Sequence, residues 1–156
     1  MIIFQFMVSF ISIIGFAVLF NIPQKSIPKA ALAGALGWVS YVHIHNISDS
    51  KVAATFIGAC IVALISEVFA RRFKEAVTVF VIPAILPLVP GSGMYYTMLA
   101  IIDNDYTRFA SVSSETIFIA GSIAAAILII SSLTRMVVYI KEIFTIKYNK
   151  LKMKML

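Results

Sequence analysis

The stretch best suited to bind a small polar molecule lies in an apolar segment from Ala76 to Ile102, and it reads Pro83-Ala84-Ile85-Leu86-Pro87-Leu88-Val89-Pro90-Gly91-Ser92-Gly93. Proline lacks a backbone N–H and clashes with the preceding turn, and glycine permits backbone angles that other residues avoid. A continuous helix is therefore not expected here, although both flanks are apolar enough for lipid. The pattern predicts a transmembrane helix broken near the bilayer midplane, with halves over residues 76–82 and 94–102.

Such a break presents two helix ends of opposite partial charge inside the membrane. The upper half begins near Ser92, so its free amide groups suit a carboxylate, and the lower half ends near Ile82, where carbonyl groups suit an ammonium or another cation. A zwitterionic amino acid suits both ends. The candidate substrate-path residues are Pro83, Pro87, Pro90, Gly91, Ser92 and Gly93, with Tyr95, Tyr96 and Asn21 further along the path.

Glu67 is the one carboxylate within the third predicted span, and an ionisable group there is a functional candidate. It also precedes Arg71 by four residues, the spacing of an ion pair on one helix face. We favour the ion pair. Glu67 and Asp103, at the outer mouth, are the candidates for proton coupling.

The sequence offers little for an enzyme. Gly91-Ser92-Gly93 has the form of a serine nucleophile, but a base is required within hydrogen-bond reach. The two histidines, His43 and His45, fall at the outer end of another span and point in different directions on a helix. With Cys60 as the single cysteine, we expect no catalytic, metal or cofactor site.

The composition is that of an all-α integral membrane protein. The 156 residues have a mean hydropathy of +0.99 and are 61% hydrophobic and 13% charged, whereas soluble domains are about 25% charged. Residues 1–140 are predicted to form a membrane domain, and residues 141–156 a basic amphipathic cytoplasmic tail on the inner leaflet. Five spans are expected, at residues 2–20, 30–44, 52–69, 76–102 and 116–134.

The Lys and Arg residues are distributed unequally between the two sides of the membrane. If the spans alternate, eleven Lys and Arg residues lie on one side and two, Lys51 and Arg108, on the other. The positive-inside rule then places the amino terminus outside and the carboxyl terminus inside. Because the net charge of +6 follows this sidedness, we expect the lipid bilayer as a partner and not nucleic acid.

The second predicted span is short and rich in small residues. Ala30 with Gly34, and Ala33 with Gly37, have the four-residue spacing that lets helix backbones approach closely. Its length suggests that the span tilts little or lies partly inside the protein. Near its outer end, Trp38 and Tyr41 are typical of an interfacial aromatic belt.

Three segments resemble the threonine/serine exporter family, in particular its small, separate-chain subunit. They are residues 15–23 (GFAVLFNIP), 33–38 (AGALGW) and 82–93 (IPAILPLVPGSG) with Tyr95. The Pro-Leu-Val-Pro-Gly run is the most specific part. The similarity extends to about Val138 and leaves out the basic tail.

This resemblance implies a multi-pass protein of the cell membrane that exports small hydrophilic metabolites with a larger membrane subunit. Threonine, serine or a dicarboxylate such as succinate are the implied substrates. A chain of five spans that follows a first half of five would complete a pair of inverted repeats. Two alternatives stay open at this point: a non-transporting structural subunit that stabilises or places a partner, and a homo-oligomer.

Overall fold

A computed structural model describes residues 2–154, with side chains described as far as Ile140. Every regular element in this part of the chain is helical, as predicted. In order, the elements are α1 (Ile2–Leu19), α2 (Ile27–Ser48), α3 (Lys51–Phe73), α4 (Val77–Ile85), a 3₁₀ turn (Leu86–Leu88), α5 (Gly91–Ile102) and α6 (Tyr106–Lys154).

Three helices are long and apolar enough to cross a membrane: α1, α3 and the part of α6 from Tyr106 to Ile140. A fourth candidate is the pair Val77–Leu88 and Gly91–Ile102, which is bent by 51°. The remaining predicted span corresponds to α2, which is long enough, with 22 residues, but is not hydrophobic enough over its length to count as a candidate span by itself. Because α2 packs against α1, α3 and α4, much of its surface contacts protein instead of lipid.

The break in the fourth span is narrower than predicted. Helix α4 continues through Pro83 to Ile85, the 3₁₀ turn carries the chain to Leu88, and α5 begins at Gly91. Pro83 is tolerated because it removes only the N–H that would donate to the carbonyl of Val79. The two helical segments on either side of the break are of equal length, so the break remains central.

Other helices also extend beyond their predicted bounds. Helix α2 extends beyond residues 30–44 at both ends, and α6 has 49 residues where a span over 116–134 was expected. The polar residues before 116 remain helical because Ser111 and Ser114 donate to their own helix, and Asp105 caps its start by accepting from the Arg108 N–H at 3.0 Å. The predicted basic face of the tail, from residue 141 on, lies outside the described side chains.

Small residues let the central helices approach closely, as their spacing predicted. A Cβ atom added at Gly58 of α3 would lie 3.0 Å from the Gly37 carbonyl oxygen of α2. One added at Gly34 would lie 2.8 Å from Cα of Ala84 in α4. Helix α2 therefore packs against α3 and α4 with their backbones in close contact.

Two contacts identify the ends of the helix bundle. Nζ of Lys51 lies 2.9 Å from Oε1 of Glu115, so α3 and α6 share one end, called here the Lys51 end. Nζ of Lys29 lies 3.8 Å from the centre of the Phe73 ring, so the start of α2 and the end of α3 share the other, the Arg71 end. Helices α2 and α3 thus run in opposite directions, and α3 and α6 run in the same direction.

Gly34→Ala is expected to destabilise the protein, although alanine is favoured over glycine in a helix by about 1 kcal/mol. The added methyl group would lie 2.6 Å from the Ala84 carbonyl oxygen, and overpacking of this kind costs about 1–3 kcal/mol. Gly15→Ala is the matched control, because a Cβ there meets nothing within 4 Å. Thermal unfolding in detergent should show a lower Tm for Gly34→Ala alone; equal Tm values for the two variants would contradict this packing.

Candidate functional site

A cavity of about 240 Å³ lies at the break between the 3₁₀ turn and α5. One wall comes from the break itself, and the others come from α2, α3 and α6. The lining residues are Pro87, Leu88, Val89, Pro90, Ser92 and Gly93 from the break, Trp38 and Tyr41 from α2, Lys51 and Thr55 from α3, and Glu115, Thr116 and Ile119 from α6. Four of the predicted path residues, Pro87, Pro90, Ser92 and Gly93, therefore share one wall.

Lys51 and Glu115 form an ion pair that lines the solvent-exposed part of this cavity. Lys51 and Glu115 are 2.9 Å apart, and their side chains are 51% and 44% exposed. Because exposed ion pairs add only about 0–1 kcal/mol to stability, this pair contributes little to holding the fold. It does place one cation and one anion side by side on the cavity wall.

Neutral polar groups line the cavity beyond the ion pair. The Thr55 side chain is almost fully buried, whereas Ser92 is exposed. Trp38 and Tyr41 form an aromatic wall, with ring centroids 5.1 Å apart and planes inclined by 29°. The Trp38 Nε1–H donates to Oε1 of Gln5 at 2.9 Å. The sequence placed both rings in an interfacial belt, and the structure places them on the cavity wall.

The backbone at the break supplies two further kinds of polar group. Pro90 precedes α5 and offers no side-chain cap, and Ser92 and Gly93, in the first turn of this helix, line the cavity. The N–H groups of a first turn have no partner within the helix and carry a positive partial charge. Pro87 cannot donate to the carbonyl of Pro83, four residues earlier, but Pro83 itself does not line the cavity. The break thus suits an anion on the α5 side.

Gly93, and not Gly91, allows a close approach. A Cβ atom at Gly93 would collide with Oγ1 of Thr116 on α6, whereas one at Gly91 meets nothing within 4 Å. The Thr116 hydroxyl is itself fixed, since it donates to the carbonyl of Val112 at 2.7 Å. Helix α5 therefore packs directly against α6 at the cavity wall.

Other predicted path residues lie away from this cavity. Pro83 is fully buried within α4. Asn21 is exposed in a left-handed turn after α1, with φ of 55°. Tyr95 and Tyr96 form an exposed edge-to-face pair with centroids 5.3 Å apart. For these residues and Gly91, a role in the substrate path remains a prediction.

The predicted ion pair on α3 is present. Arg71 donates to Oε2 of Glu67 at 3.1 Å, and Glu67 is 5% exposed. Asp103 follows α5, where its backbone N–H donates to the carbonyl of Leu99 at 2.9 Å. Neither carboxylate lines the cavity, and proton coupling through them remains a prediction.

The sequence analysis did not predict the charged and hydroxyl-bearing residues that α3 and α6 contribute to the cavity, which are Lys51, Thr55, Glu115 and Thr116. Lys51 had one available signal, since it is one of only two cations on its side of the predicted topology. Glu115 directly precedes the predicted fifth span, which would have placed it at the same membrane surface. Their pairing depends on how α3 packs against α6 and has no local signature.

Comparison with known proteins supports the resemblance seen in the sequence. A protein from Haemophilus influenzae (strain ATCC 51907 / DSM 11121 / KW20 / Rd), described as uncharacterized, is 29% identical over 118 residues. The match covers 70% of this chain and 40% of that relative, so the chain corresponds to less than half of the longer protein. No solved structure matches. The family described as "Threonine/Serine exporter, ThrE" matches residues 5–133, and the chain therefore belongs to this family of transporters, which are not enzymes.

Proposed function

We propose that this chain is the small subunit of a two-component secondary exporter of small hydrophilic metabolites in the cell membrane. It forms half of the translocation pathway, and a larger membrane subunit supplies the other half. One observation carries the proposal: the break segment that the sequence shares with the family lines a cavity that also holds an ion pair. A break that served only as a packing notch would not need opposite charges beside it.

The proposed topology has five spans, with the amino terminus outside and the carboxyl terminus inside. The opposite directions of α2 and α3 support it, because Lys29, Arg71 and Arg72 fall at the Arg71 end and Lys51 lies at the other. The end with more Lys and Arg residues is expected to be cytoplasmic. The cavity then opens toward the outside of the cell.

The charges of the cavity favour an amino acid as the substrate. A carboxylate would bind Lys51 and the amide groups at Ser92 and Gly93, and an ammonium group would bind Glu115. The hydroxyl of threonine or serine would have Thr55 as a hydrogen-bond partner. A dicarboxylate such as succinate would bring a second negative charge to Glu115, which makes it the less favoured substrate.

A larger partner subunit is supported by the lengths of the proteins compared. The curated relative extends well beyond the region that matches this chain, so a family member can carry additional sequence in the same polypeptide. In the two-component arrangement that we propose, a second chain supplies that part. The two halves would then be related as inverted repeats around the break.

The test is the efflux of radiolabelled threonine, serine and succinate from cells that express this chain alone, the larger subunit alone, or both. We expect threonine and serine efflux only when both chains are present. Equal efflux from the larger subunit alone would overturn the transport role and favour a structural subunit. Efflux from this chain alone would replace the two-component proposal with a homo-oligomer.

A further inference from the structure

A second groove lies on the other side of Trp38 from the break cavity. It has a volume of about 270 Å³ and is lined by Gln5, Ser9, Ser12 and Phe16 of α1, with Trp38 and Pro87 opposite. The stretch from Gln5 to Phe16 corresponds to about 16 Å along a helix. The groove therefore runs from the level of Trp38 toward the Arg71 end of the bundle.

Trp38 and Pro87 line both the groove and the break cavity. They are the wall that the two spaces share. The indole of Trp38 is held from one side by its hydrogen bond to Gln5 and from the other by stacking on Tyr41. Of these two residues, Trp38 is the one whose side chain can change rotamer, because the Pro87 ring is closed on its own backbone.

The groove carries polar groups on a helix that is otherwise apolar. Gln5, Ser9 and Ser12 follow a spacing of four and then three residues, which places them on one face of α1. The hydroxyl of Ser9 is buried and has no hydrogen-bond partner among the described residues. Because buried hydroxyl groups nearly always have a partner, Ser9 points to a ligand or water in this groove.

We propose that this groove is a second binding chamber for the transported solute and that Trp38 is the partition between the chambers. The inference rests on the proposed function, because the solute would reach the break cavity through this groove. Its polar groups are the neutral hydroxyl groups of Ser9 and Ser12 and the amide of Gln5, and the rest of its wall is apolar, from Val8, Phe16, Trp38 and Pro87. It therefore receives a small polar solute through neutral contacts, before the solute reaches the break cavity, where Lys51 and Glu115 bind its charged groups.

The test measures how fast a charged, water-soluble methanethiosulfonate modifies single cysteines in membranes that contain the full transporter, with Cys60→Ala as the background. Ser92→Cys should react whether or not Trp38 is present. Ser9→Cys should react slowly in the presence of Trp38 and about tenfold faster with Trp38→Ala, as loss of one hydrogen bond and its packing predicts. Excess threonine should slow both reactions.

Two further variants serve as controls. Ile11→Cys lies on the exposed lipid side of α1 and should stay unreactive in both backgrounds. Trp38→Phe keeps a ring in the wall but removes the donor to Gln5, so it should also speed the reaction at Ser9→Cys, even if Trp38→Ala does not fold.

The outcomes separate the two proposals. If Ser92→Cys reacts but Ser9→Cys stays unreactive with every residue at position 38, the second chamber is overturned and the proposed function stands. If Ser9→Cys reacts at the same rate with and without Trp38, Trp38 is not the partition. If Ser92→Cys is unreactive as well, both proposals fail.

Discussion

Replacing Lys51 with glutamate is expected to abolish threonine efflux while the chain still inserts into the membrane. The change removes the cation proposed to bind the substrate carboxylate and sets a second carboxylate beside Glu115. Loss of a hydrogen bond to a charged group alone predicts a decrease of about ten- to hundredfold. Insertion should persist, because the ion pair is half exposed and adds little to stability.

Arg108→Glu is the matched control for this charge reversal. Arg108 lies at the same end of the bundle, with its guanidinium 5.7 Å from the Tyr96 ring centroid, and it does not line the cavity. The measurement is the initial rate of threonine efflux, divided by the amount of protein in the membrane. Equal losses for the two variants would show that the net charge at this end matters and not the site.

The companion change Glu115→Gln distinguishes the two substrate classes. It removes the anion proposed to bind an ammonium group, so threonine efflux should fall. Succinate has no ammonium group, and its efflux should not decrease. If both substrates lost efflux equally, Glu115 would have to act on the fold or on the cavity opening instead of on the substrate.

Gly93→Val is the second change with a large expected effect. Its side chain would collide with Thr116, so α5 must move away from α6 or the cavity must fill. We expect efflux to be lost with little change in the amount of protein in the membrane. Gly121→Val is the control, because it introduces the same residue into open space on α6, away from the predicted path residues, and it should keep most of the activity.

A second substitution, at Thr116, tests the same contact from the other side. Thr116→Ala removes the hydroxyl that the new side chain would meet, so the double variant Gly93→Val with Thr116→Ala should regain part of the efflux. Residues in direct contact typically show such coupling, of about 0.5–3 kcal/mol. Equal activity of Gly93→Val and Gly121→Val, or no rescue at all, would contradict the proposed contact between α5 and α6.

The break itself was predictable because proline and glycine act on their own backbone. The position of the break was harder to predict. Pro83 lies inside α4, since a helix that packs well on its neighbours tolerates the loss of one hydrogen bond, and the chain leaves helical geometry only at Val89 and Pro90. The sequence specified which residues interrupt the helix, and tertiary packing decided where the interruption falls.

The two ion pairs also show which contacts can be predicted from the sequence and which cannot. Glu67 and Arg71 lie four residues apart on one helix, so their contact follows from helix geometry and was predicted. Lys51 and Glu115 lie on different helices, far apart in the sequence, and meet because α3 packs against α6. The family resemblance identified the break segment, but the residues that complete the cavity required the fold.

The surroundings of α5 have a consequence for how the protein moves. Among the described residues, α6 is the one substantial neighbour of α5, and Ala100 is its one buried residue, whereas α2 contacts three helices. Segments with few buried contacts open locally at low free energy. Amide hydrogens of α5 should therefore exchange with solvent deuterium well before those of α2 and α3, and we expect α5 to be the segment that moves in the transport cycle proposed above.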